Sequence, residues 1–204
     1  AAIKAENDPT SVTAASVAGT LYAYPMTSDN GYFLYYDKSV VTDPSNMEQI
    51  LADCEAAGKN VYFEINSGWY QTAFFFGAGC TLTYSTDNDG NIVAMDCDYA
   101  SENGVKALKS MIKLAQSPAH VNGSSASNAT NLGAIVDGTW DAAVVKEALG
   151  ENYAAAQLPT ITINGEAKQL RAFAGSKCIG VNPNCKNQKA ALQLALFLGS
   201  KDAQ

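Results

Sequence analysis

"NVYFEINSGWYQTAFFFGAGC", residues 60–80, decides the fold class. Residues 60–65 cluster apolar side chains in the length of one short strand, Asn66 to Gly68 supply a turn, and Trp69 to about Ala78 read as a helix. A strand that turns directly into a helix is half of a βα unit. The stretch also carries more aromatic surface than one helical stripe hides. Phe74, Phe75 and Phe76 are expected mainly between helix and sheet, though three in a row cannot all face inward, with Trp69 and Tyr70 at the helix start.

The pattern repeats on both sides. Upstream, "GTLYAYP" (19–25) reads as a strand ended by Pro25, and "YFLYY" (32–36) as a strand buried on both faces. "DPSNMEQILADCEAAGK" then reads as a helix whose Ser45 and Glu48 form a capping box, with Met47, Ile50, Leu51 and Cys54 as its buried stripe. Downstream, a hairpin turning at Asp87–Gly90 precedes a helix with Val105, Leu108, Met111, Ile112 and Ala115 on one face. "HVNGSSASNATN" reads as a polar loop or a weak, short helix, "LGAIVDGTW" (132–140) as a strand, "DAAVVKEALG" as a helix and "YAAAQLP" as a strand. "TITINGEAKQLRAF" reads as a hairpin on Asn164-Gly165, "CIGVN" as a last strand, and residues 186–199 as an amphipathic helix. Alternating strands and helices with two inserted hairpins give an α/β fold on a mixed sheet. With no repeat and no low-complexity linker, one compact unit is favoured.

Composition narrows the function. Of 204 residues, 47% are hydrophobic and 16% charged, which supports a substantial core. A net charge of −7 repels phosphate backbones and anionic lipid, which argues against nucleic-acid and polybasic membrane partners. No apolar run reaches the length of a transmembrane helix. The opening "AAIKAENDPTSV" reads as the tail of a helix entering a Pro-marked turn, as in a piece of a longer precursor.

The five cysteines include no C-x-x-C pair, and His120 is the single histidine, so no structural zinc site and no cofactor are expected. Cys80 and Cys97 flank the 87–90 hairpin and Cys178 and Cys185 close a short loop. Disulfides at both places fit an exported protein; the alternative is five small buried apolar residues, and Cys54, in a helical pattern, is expected free.

Nucleophile elbow, P-loop, dinucleotide fingerprint and zincin motifs are all missing. Asp29, Glu64, Asp96 and Asp137 stand at strand ends and could pair as in a glycoside hydrolase, the weaker alternative. The more specific pattern is aromatic: the only tryptophans, Trp69 and Trp140, both follow strands, and Asp29-Asn30 lies in the loop after the first strand. Ligands of open α/β sheets bind outside the carboxyl ends of strands. Aromatic faces suit pyranose C–H faces, and carboxylates or carboxamides suit neighbouring hydroxyls.

"GTLYAYPMTSDNGYFLYYDKSV" resembles the hinge strand, ligand loop and following strand of extracellular solute-binding proteins of the maltose-binding type, the capture components of ABC sugar importers. The order then continues as in that family through "NVYFEINSGWYQTAFFFGAGC", "DNDGNI", "MIKLAQS", "LGAIVDGTWDAAVV", "AQLPTI" and "FAGSKCIGVNPNCKNQKAALQLALFL".

The resemblance implies the three-layer lobe of a periplasmic-binding-protein-like fold. Residues 1–183 would be the second lobe of a two-lobed clamp, with hinge strands near 20–26 and 178–183. Residues 184–204 would be a crossover helix belonging to the first lobe. Its face with Ala190, Ala191, Leu194, Ala195 and Leu198 would then lack its usual neighbours and fold back or pair with another copy. One of Asp29 and Asn30 matches the family's acidic ligand-loop residue. Trp69 and Tyr70 match the stretch that packs on and hydrogen-bonds the sugar, although the chain is shorter there and lacks the carboxylate. Trp140, in "DGTW", matches the stacking tryptophan, with Thr139 in place of proline. The implied function is non-enzymatic carbohydrate binding, of a maltodextrin or another oligosaccharide, with an ABC permease as partner of an exported, lipid-anchored or periplasmic parent. Another small solute is the alternative cargo.

Overall fold

The computed structural model describes residues 2–203. In chain order the elements are α1 (Ala2–Glu6), α2 (Pro9–Ala14), β1 (Ser16–Val17), β2 (Thr20–Leu21), β3 (Tyr24–Asn30) and β4 (Tyr32–Asp37). There follow α3 (Met47–Ala56), β5 (Asn60–Tyr62), α4 (Gly68–Gly77), β6 (Leu82–Thr86), β7 (Ile92–Cys97), α5 (Glu102–Ala115) and β8 (His120–Val121). The rest are β9 (Leu132–Gly138), α6 (Ala142–Leu149), β10 (Tyr153–Ala156), β11 (Thr160–Ile163), β12 (Glu166–Gln169), β13 (Gly175–Ile179) and α7 (Gln188–Leu198).

Two compact units result, where the missing linker favours one. The chain passes between them at Asn30–Gly31, Phe173–Ala174 and within the β6–β7 hairpin, so no change of composition marks the boundaries.

The larger unit, Gly31–Thr83 with Asp96–Phe173, holds a five-stranded sheet in the order β10-β4-β9-β5-β8. β10, β4 and β9 run antiparallel, while β9, β5 and β8 run parallel. Side chains alternate across it with the two-residue period of a strand. Tyr32, Leu34, Val61, Phe63, Ala134 and Val136 join the helices on one face, whereas Tyr35, Tyr62 and Ile135 pack with Val145 of α6 on the other. "YFLYY" is apolar throughout because both faces are covered. The Asn164-Gly165 turn closes β11–β12 with φ of 53° and 83°, the left-handed pair that the short turn requires.

Two local expectations change. The cap of α3 is Asn46, whose side chain accepts from the Gln49 N–H at 3.1 Å. Ser45 instead turns its hydroxyl to Asp43 and its carbonyl to Thr160, and Glu48 accepts from the Thr162 N–H, so both box residues serve tertiary contacts. Helix α5 buries Gly104, Ala107, Ser110, Met111 and Leu114, leaving Val105, Leu108 and Ile112 about half exposed. A Cβ on Gly104 would lie 1.8 Å from the Tyr99 carbonyl oxygen, so the small-residue face makes the close approach. As expected, the three phenylalanines do not all face inward: Phe74 and Phe75 are buried, while Phe76 is half-buried, its ring edge-on to Phe173.

The smaller unit comprises residues up to Asn30, Tyr84–Met95 and residues from Ala174 on. Here β3 pairs antiparallel with β13, with a register irregularity opposite Pro25, which lies inside β3 rather than ending it. Asp8 caps α2, its carboxylate accepting the Thr10 and Ser11 N–H groups. In α7, Ala195 is buried, whereas Leu192, Leu194, Leu196, Phe197 and Leu198 are exposed.

All five cysteines are free thiols, so neither expected bridge, Cys80–Cys97 or Cys178–Cys185, is formed. Nor are all five buried: Cys54 and Cys80 are, Cys185 is half-buried, and Cys97 and Cys178 are exposed.

Candidate ligand-binding site

The parallel strands β5, β8 and β9 deliver their carboxyl ends to one edge of the larger unit's sheet. The chain there supplies Glu64 after β5, Ser124 after β8, and Asp137, Trp140 and Asp141 at the end of β9, while α4 brings Trp69 and Tyr70. This is where an α/β sheet presents ligand-binding groups.

Trp140 does not continue β9; it sits in a single turn of 3-10 helix, Thr139–Asp141, and is 48% exposed. Its indole lies on Gly138, where an added Cβ would come within 2.2 Å of the ring carbons. The backbone beneath is pinned twice: the buried Tyr35 hydroxyl donates to the Gly138 carbonyl at 2.9 Å, and the Thr139 N–H donates to the Gly31 carbonyl at 3.0 Å. Burial pushes the Tyr35 phenol well above its ordinary pKa, so it stays a donor.

Trp69 and Tyr70 begin α4 as expected, but they are built into the packing. Tyr70 is buried with its ring 4.7 Å from that of Tyr32, and Trp69 meets Tyr32 edge-on and stacks on Phe173 at 5.4 Å. The Tyr32 hydroxyl donates to the Trp69 carbonyl at 3.0 Å. The Trp69 indole N–H is buried and has no acceptor among the described residues, a donor whose desolvation costs about 1–3 kcal/mol.

Polar groups continue the patch. The Ser124 hydroxyl donates to the Glu64 carboxylate, and Ser124 is also in hydrogen-bond reach of the Tyr70 hydroxyl. Tyr70 titrates above its ordinary value because it is buried, with the Ser124 bond a smaller opposing effect. Asp137 is wholly buried: one carboxyl oxygen accepts the Gly138 N–H at 2.7 Å. Desolvation, then the nearby Asp141 carboxyl, raises it to about 7. His120 is turned the other way, its Nε2 on the Phe63 carbonyl at 3.0 Å, and burial lowers its pKa.

Among the sequence-predicted residues, Trp69, Tyr70 and Trp140 belong to the larger unit, and Asp29 and Asn30 to the smaller. Asp29 and Asn30 are the last residues of β3 rather than loop residues. Asp29 is exposed, accepts from the Thr27 hydroxyl, and lines a polar concavity of about 360 Å³ with Glu6, Asp8 and Ser11. Asn30 pairs with Gly175 of β13. Sequence reasoning missed Ser124 and Asp141 and the part Glu64 plays; reading every residue after a parallel strand would have found all three. A concavity of about 250 Å³ lined by Lys106, Lys109, Lys113 and Asn164 shares none of them. Among the described residues no group of histidine, cysteine and carboxylate side chains could hold a metal ion.

The family model for bacterial extracellular solute-binding proteins matches residues 2–204. No curated protein matches the chain. Among solved structures, one determined with acarbose is 36% identical with a TM-score of 0.80, over 98% of this chain and 52% of that one. The maltodextrin binding protein MalE1 from L. casei BL23, without ligand, is 26% identical with a TM-score of 0.72, over 99% and 53%. The Thermus thermophilus maltotriose binding protein bound with maltotriose shares the fold, with a TM-score of 0.75 at 21% identity over 99% and 56%. The chain thus spans about half the length of the structures it resembles.

Proposed function

Because the chain belongs to the bacterial extracellular solute-binding proteins, we propose that it is a sugar-binding part of one, the carbohydrate-holding component of an ABC importer for an α-linked oligosaccharide of the maltodextrin kind. The observation that carries this reading is the half-exposed Trp140 indole laid on Gly138, at the same strand-end edge of the sheet as the hydrogen-bonded Glu64–Ser124–Tyr70 chain. A flat aromatic face suits the C–H face of a glucose ring, and a carboxylate with hydroxyls beside it suits paired sugar hydroxyls. Trp69 and Tyr70 support that wall; Asp29 and Asn30 are, by themselves, the ligand-binding residues of the smaller unit. Relatives named for acarbose and maltodextrin point to the same cargo.

The site binds without turnover. Asp137 is the most strongly perturbed carboxyl at these strand ends, and it is enclosed by protein and cannot reach a glycosidic bond. In the whole protein, residues 1–183 form the second of two lobes, with hinges near 20–26 and 178–183, and residues 184–204 form a crossover helix. That parent is exported, held at the cell surface by a lipid anchor or free in a periplasm, and delivers sugar to a permease. The exposed apolar side chains of α7 give an isolated piece a surface for self-association.

Titration calorimetry with maltotriose, and with cellotriose as the β-linked control, tests the reading. A saturable heat with maltotriose alone, weakened at least about tenfold (about 1.4 kcal/mol) in Trp140→Ala, supports it. Equal affinity for both sugars, or an unchanged affinity in the variant, overturns it.

A further inference from the structure

Asp137 is not explained by sugar binding, since no ligand can touch a side chain with no exposed surface. It lies in β9 just before Gly138 and three residues before Trp140. One of its oxygens is satisfied by the Gly138 N–H. The other, Oδ2, is buried and makes no well-formed hydrogen bond among the described residues. The polar groups in hydrogen-bond reach of this carboxyl are the Ala126 backbone N–H, which favours the ionised form, and the carboxyl of Asp141, which raises its pKa, follows Trp140 and is half-buried.

Two ionised carboxylates offer each other only acceptors, so the contact becomes a hydrogen bond only if one oxygen carries a proton. The surroundings favour keeping it. The titratable groups facing the pair are Tyr35 of β4 and Tyr70 of α4, with Tyr153 of β10 beside Tyr35 and Glu64 beside Tyr70, and none of these is a cation. Lys146 and Glu147 of α6 are exposed, and the nearby 126–128 turn has no titratable side chain.

We propose that Asp137 is a positioning residue: as a neutral carboxylic acid it donates to Asp141, clasps the turn that carries Trp140, and on ionisation releases that turn. The acid O–H of Asp137 bonds a carboxylate oxygen of Asp141. When the proton leaves to solvent, past half-buried Asp141, two like charges face each other across the Trp140 turn, and their repulsion lifts the indole from Gly138. Asp137 is held protonated far above the ordinary aspartate range by burial and by the Asp141 charge, so the change falls near neutral pH. The pair shares its proton, so the transition belongs to both carboxyls together. The inference concerns the indole itself and stands whether or not the cargo is a maltodextrin.

The experiment follows the two indole N–H resonances of ¹⁵N-labelled protein from pH 5 to 9 without sugar, assigned with Trp140→Phe. The Trp140 resonance is expected to move with a midpoint near 7. In Asp137→Asn it stays at its acid position throughout, because the amide donates to Asp141 at every pH. In Asp141→Asn, which removes the like charge, the midpoint falls; this variant decides the matter if Asp137→Asn does not fold. A Trp140 resonance that does not titrate, or one with an unchanged midpoint in the folded variants, overturns the proposal.

Discussion

The Trp140 indole lies flat on Gly138, so close that a Cβ there would sit 2.2 Å from the ring. Gly138 has a φ of −78°, which any residue adopts, so the glycine is required by the ring above it and not by its own backbone. Gly138→Ala is therefore expected to displace the half-exposed indole outward while the sheet below persists. Sugar affinity should fall at least about tenfold and stability by only about 1 kcal/mol. Calorimetry beside urea unfolding checks both, and a variant that binds like the parent would show that the ring position does not matter.

Tyr35 holds the same turn through the Gly138 carbonyl. Its hydroxyl is buried and donates to the Gly138 carbonyl, so Tyr35→Phe leaves that acceptor without this bond at nearly constant volume. A loss of about 1–2 kcal/mol in urea unfolding is expected. A neutral result would mean that water or a shifted backbone takes over the bond.

Thiol chemistry should sort by burial. Burial raises the Cys54 thiol to about 12, while Cys97 and Cys178 are exposed. A maleimide at pH 7.5 should label Cys97 and Cys178 in the native protein and Cys54 only after unfolding, since the thiolate is the nucleophile. Peptide mass spectrometry reads this directly; native labelling of Cys54, or a protected Cys97, would contradict it.

His120 gives a pH dependence with a definite sign. Its pKa is lowered by burial, so the folded state takes up the proton less readily than the unfolded chain. The stability it contributes is complete above the unfolded value, about 6.5. It is lost as pH falls through the lower folded value. Asp137, with its raised pKa, acts in the opposite sense: its contribution is present at low pH and lost as pH rises through about 7. Only a difference separates them. The stability gap between the parent and His120→Gln should shrink as pH drops from 7.5 to 5.5, and a constant gap would contradict the assignment.

Legibility followed physical range. The βα unit at residues 60–80 and the Asn164-Gly165 turn were readable because each is fixed by contacts among neighbours in sequence, and β4 because a continuous apolar run has to be covered on both faces. Helix α5 was not. Its apolar count favoured Val105, Leu108 and Ile112, but the close approach at Tyr99 selects the face with Gly104, Ala107 and Ser110. Ser45 looked like a cap until Thr160, distant in sequence, claimed its carbonyl. The site divides the same way: Trp140 was marked by composition, whereas Ser124 and Asp141 acquire meaning only when β8 and β9 bring them to one edge.

The central claim, that Trp140 is a wall for an α-linked sugar, is tested most directly by adding maltotetraose to ¹⁵N-labelled protein at fixed pH and following the two indole N–H resonances. The account predicts a saturable shift of the Trp140 resonance larger than that of buried-edge Trp69, and no shift with cellotetraose. A Trp140 resonance that stays in place at saturating maltotetraose, in a sample whose remaining spectrum is that of a folded protein, would contradict it.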